Sequence, residues 1–87
     1  MGLDLNQKQI AWNAINLAKK ELRLGTGESV SLANYYLRDL DAVREAGLSD
    51  LAWAIHRDGS AHKNDVMGLI EHLEKHLEGV SNGSKLG

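Results

Sequence analysis

Ser31–Gly47, SLANYYLRDLDAVREAG, is the stretch whose reading decides the fold. Wound as an α-helix it lines up Ala33, Tyr36, Leu37, Leu40 and Val43 in one stripe. Leu32, Tyr35, Ala42 and Ala46 then widen the apolar arc beyond half the circumference. A helix that is apolar over so much of its surface needs neighbours on several sides. The sequence therefore predicts a small helical bundle with this segment near its centre.

The neighbours are found on either side of it. Towards the N-terminus, Asp4 is placed as an N-cap, with Gln7 three residues on in capping-box register. Ile10, Ala11, Ala14, Ile15, Leu17, Ala18, Leu22 and Leu24 follow on one broad face at helical spacing. Gly25, Thr26 and Gly27 break that helix, because glycine supplies the left-handed backbone that ends it. Ser31 is the expected cap of the second helix, with Val30 and Tyr35 placed as a hydrophobic staple. Towards the C-terminus, Gly47 ends the second helix and Ser49 starts a third on a stripe of Leu48, Leu51, Ala52 and Ile55. Leu48 and Trp53 repeat the staple relation. Asp58-Gly59 is a turn signal, and Ser60 or Asn64 caps a last helix carrying Val66, Leu69, Ile70, Leu73 and Leu77. The expected fold is all-α, a bundle of four helices at about 4–24, 31–46, 49–57 and 60–78 in one domain over 1–79. Gly79 should close the last helix, and the small polar residues of 80–87 read as a disordered tail.

Composition narrows the function. A chain of 87 residues buries only about 60% of the surface that its unfolded form exposes, so its core is thin and a second subunit sharing a face would relieve it. Without cysteine it has no disulfide or thiolate metal site, which fits a cytoplasmic protein. No apolar run approaches the roughly 18 residues of a membrane span, and no signal peptide is expected. Asn6 stands where a myristoylation start wants Ser or Thr, so lipidation is not expected either. The formal net charge of -2 gives little long-range attraction to nucleic acid.

Catalytic constellations are thin. His72 and His76 are four apart near Asp65 and His62, but the remaining ligands of a zinc motif are missing, so no metal site is expected. Ser60, His62 and Asp65 crowd a helix start, where capping explains them. Asp39 and Asp41, two apart, point to different helix faces and cannot share acid and base duties. Asp39 could instead meet a base from the first helix, with Arg44 keeping its charge in water. No phosphate loop is present, and neither an enzyme nor a cofactor is expected.

One segment does carry a functional hint: residues 48–77, LSDLAWAIHRDGSAHKNDVMGLIEHLEKHL. It resembles the two-helix reading unit of helix-turn-helix and winged-helix regulators, with Leu48, Leu51, Ala52 and Ile55 on one helix and Val66, Ile70 and Leu73 on the next. The resemblance implies that His62, Lys63 and Asn64 lead a recognition helix into the major groove. The turn is longer than usual in such units, no wing sequence follows Leu73, and Asp65, Glu71 and Glu74 would approach phosphates.

Protein binding fits the mild negative charge better. Trp12 lies off the main stripe of the first helix and forms a mixed aromatic and basic patch with Lys8, Lys19 and Arg23; Trp53 with Arg57 forms a second candidate. The expected function is a small non-enzymatic regulator or inhibitor that occludes a surface of a larger protein. Its partner would be another protein or a second copy of the chain, and DNA binding is the alternative.

Overall fold

The structure, a computed structural model, describes residues 4–58 and 62–86, with side chains for 4–58 and 62–79. It is an all-α bundle of helices α1 (Leu5–Leu24), α2 (Gly27–Arg38), α3 (Asp41–Glu45), α4 (Ser49–Asp58) and α5 (Lys63–Leu86). No strand, and hence no wing, occurs among the described residues.

Local chemistry sets several of the helix ends. Asp4 caps α1 by accepting from the Gln7 backbone N–H at 2.8 Å. Gly25 ends it in the left-handed region at φ 73°, which costs a residue with a Cβ about 1–2 kcal/mol. Thr26, not Ser31, then caps α2. Its Oγ1 accepts from the Ser29 N–H at 3.0 Å while Ser29 Oγ accepts from the Thr26 N–H at 3.0 Å, a reciprocal capping box. α2 therefore starts four residues earlier than the Ser31 reading has it, and α1 and α2 form a tight hairpin with the most extensive packing in the molecule.

The stretch Ser31–Gly47 is not one helix. It breaks at Asp39 and Leu40, where Leu40 takes up extended backbone and its carbonyl accepts the first bonds of α3 from Val43 and Arg44. The reason is angular. On an unbroken helix five residues turn the chain by roughly 140° relative to the starting face, so Leu37 and Ala42 could not both look into one core. The break re-aims α3, and Leu37, Ala42 and Val43 are all buried. Gly47 ends α3 at φ 74°, with the Leu48 N–H reaching back to the Val43 carbonyl at 2.9 Å. Asp39 lies beside its own neighbour Arg38 and Arg44 pairs with Asp41, so neither meets α1.

The middle segment does lie near the centre, with α2 packed against α1, α4 and α5 and α3 against α1 and α5, while α5 touches all four other helices and buries Val66, Leu69, Ile70, Leu73 and Leu77. Other expectations are corrected. Tyr35 and Leu32, counted in the apolar arc, are 55% and 37% exposed. The broad face of α1 also divides. Ala11, Ala14, Ile15, Ala18 and Leu22 are buried, but Ile10, Leu17 and Leu24 remain 41%, 48% and 67% exposed. α5 runs on past Gly79 as helix to Leu86, since Gly79 is not in the left-handed conformation that would stop it. Ser60, offered as a cap for this helix, falls outside the described residues.

Candidate functional site

Two surfaces carry the residues that the sequence singled out. The first is built where α4 crosses α2. Asn34, 1% exposed, donates from Nδ2 to the Ala52 carbonyl at 3.1 Å and ties the two helices at their buried seam. One turn further along, Arg38 reaches across from the same side of α2. Its guanidinium carbon lies 4.9 Å from the Tyr35 ring centre and 4.6 Å from that of Trp53, and Nη1 is 2.8 Å from His56 Nδ1. A guanidinium can only donate, so His56 Nδ1 is the acceptor and the imidazole carries its proton on Nε2. His56 in turn meets the Trp53 ring edge-on at 5.4 Å. The Arg38 side chain is only 16% exposed, yet the rings that it holds stay open, Tyr35 at 55% and Trp53 at 36%.

This arrangement orders two aromatic side chains at the surface. Cation–π contacts at exposed sites contribute about 0.5–1 kcal/mol each, enough to bias the rotamers of Arg38 and Trp53. Cost is visible as well. Arg38 Nε, Asn34 Oδ1 and Ser49 Oγ are buried without a hydrogen-bond partner among the described residues, although Arg38 Nε lies 3.7 Å from the Asp39 carboxylate. Leu51, also 41% exposed, and Arg57 lie on α4 with Trp53. Sequence reasoning found Trp53 and Arg57 but missed Arg38 and His56 as companions; the available signal was the four-residue spacing of Asn34 and Arg38 on one flank of α2.

The second surface lies between the C-terminal half of α1 and the N-terminal half of α5. Lys19 forms an ion pair with Glu74 at 2.6 Å, and beside it opens a groove of about 370 Å³ floored by Leu22, Met67 and Ile70. Arg23, Lys63 and Glu71 line it too, so it joins two residues of the α1 patch to one residue proposed for DNA reading. Trp12 is not part of that groove. It is half-buried, packed at the margin of the core, with Lys8 likewise half-buried one turn before it. His62, Lys63 and Asn64 are exposed at the start of α5, and Asp65 is exposed beside them.

Among the described residues no three His, Asp or Glu side chains gather closely enough to hold a metal ion. His72 is exposed on its own, and His76 turns to Glu45 with Nε2 at 3.1 Å from Oε1. Among the described residues no helix is long and apolar enough to cross a membrane. Compared with protein-family models, curated proteins and solved structures, the chain matches none.

Proposed function

We propose that this chain is a small non-catalytic protein-binding module, a regulator or inhibitor that lays the Trp53 face of α2 and α4 against a larger protein and covers part of its surface. One observation carries the reading: Tyr35 and Trp53 are exposed, yet held in place by a single arginine that lies over both rings. Interface hot spots favour Trp, Tyr and Arg, and anchors ordered beforehand lose less freedom on binding. Arg57 contributes charge at the rim of this face, where it affects encounter more than final affinity. The patch of Trp12, Lys8, Lys19 and Arg23 takes a lesser part, because Trp12 spends much of its ring on the core and Lys19 is engaged with Glu74.

The reading favours protein over DNA for an electrostatic reason. A recognition helix led by His62, Lys63 and Asn64 would bring Asp65 and Glu71 towards phosphates, and such binding rests on cations. The test is affinity capture from the native host with wild type, Tyr35→Ala and Arg57→Ala side by side, together with titration of a labelled duplex at low salt. Retention of a protein by wild type and its loss with Tyr35→Ala support the reading. Equal retention by all three, or tight duplex binding that weakens steeply with salt, would refute it.

A further inference from the structure

α1 leaves four large apolar residues exposed, Leu5 at its first turn and Ile10, Leu17 and Leu24 further on, and the last three are in register. Ile10, Leu17 and Leu24 are spaced by seven, and at 41%, 48% and 67% exposure they form a line along the helix. At 1.5 Å per residue that line is roughly 21 Å long. It lies about 120° around the helix from the buried face, so a body approaching it does not meet the rest of the bundle first. A seven-residue period fits another helix, because the seam of two packed helices repeats every 3.5 residues.

The flanks say which helix. On one side of the line run Asn6, Asn13 and Lys20; on the other, Gln7 and Glu21 stand at the surface with the buried Ala14 between them. Lys20 and Glu21 make no ion pair or hydrogen bond among the described residues. When two copies of α1 lie parallel about a two-fold axis, each flank faces the opposite flank of the other copy, with partners one residue apart in height. Asn6 then faces Gln7, and Lys20 faces Glu21, twice. An antiparallel pairing would set each flank against itself and leave both charges unanswered.

We infer that α1 is the seam of a parallel homodimer, in which Ile10, Leu17 and Leu24 each meet their own counterpart and Lys20 pairs with Glu21 of the second copy. The seam is short, with asparagines beside it rather than a second apolar row, so association is weak and appears at high chain concentration. It uses a different helix from the Trp53 face, and neither proposal depends on the other.

Sedimentation velocity up to millimolar chain concentration tests this on four chains. Wild type should move from monomer to dimer mass. Leu17→Glu should stay monomeric with an unchanged thermal midpoint, since Leu17 is half-exposed in the monomer. Lys20→Glu should raise the dissociation constant roughly tenfold or more, by replacing two attractions with two repulsions, and the double exchange Lys20→Glu with Glu21→Lys should restore it. A wild type that remains monomeric, a Leu17→Glu chain that still dimerises, or a double exchange that fails to restore association each overturns the proposal.

Discussion

Replacing Arg38 with alanine should loosen α4 from α2, and the structure allows the loss to be sized. Two ring contacts, at 4.9 Å and 4.6 Å from the guanidinium carbon, disappear, at about 0.5–1 kcal/mol each. The hydrogen bond to His56 at 2.8 Å goes with them, a further contribution of about 1 kcal/mol. Against this, Arg38 Nε no longer has to be buried without a hydrogen bond, which returns about 1 kcal/mol. The net destabilisation is roughly 1–2 kcal/mol, or a midpoint lower by about 5–15 °C in a domain of this size. Circular dichroism melts of Arg38→Ala beside Arg57→Ala measure it, because Arg57 is exposed and its removal should change stability by no more than about 0.5 kcal/mol. A cycle with Trp53→Ala then isolates the stacking and should return a coupling of about 0.5–1 kcal/mol. If Arg38→Ala melts with wild type, or the cycle returns no coupling, the aromatic cluster is not formed in solution and the reasoning fails.

Leu17→Ser should leave stability within about 0.5 kcal/mol of wild type, whereas Ile15→Ala, two residues away and fully buried, should cost about 2–5 kcal/mol; urea titration of the pair checks the division of the α1 face. Thr26→Ala removes the capping box and should destabilise by about 0.5–2 kcal/mol, with earlier loss of amide protection in the first turn of α2 than elsewhere, read by hydrogen exchange. Gly47→Ala should cost about 1–2 kcal/mol although nothing crowds the position, because the strain lies in its φ of 74°; a melt as high as wild type would show that the chain can leave the helix another way.

What was legible in the sequence was local. Asp4 capping α1, Gly25 and Gly47 in left-handed turns, and the Val66, Leu69, Ile70, Leu73, Leu77 stripe each follow from a cap, a turn or a period contained within a few residues. The break at Asp39 and Leu40 was not legible, because two short helices aimed differently print the same residues as one helix with an unusually wide apolar arc. The width itself was the clue. Ser31 drew the cap away from Thr26, since both precede plausible helical turns and only the Thr26–Ser29 pair closes reciprocally. Ile10, Leu17 and Leu24 sit one step around the wheel from buried neighbours, and no periodicity says how far round α1 its companions reach. At the candidate site Trp53 stood out by residue type. Arg38 did not, because an arginine in mid-helix ordinarily reads as a solvated charge until the partner helix is in place.

The most direct measurement is photo-crosslinking in the host cell with a benzophenone amino acid at one of two exposed positions, Tyr35 on the proposed docking face or Lys75 on α5. A protein adduct at position 35 and none at position 75 is the predicted result. Adducts of equal yield at both positions, or none at 35, would contradict a docking role for the face that Arg38 holds together.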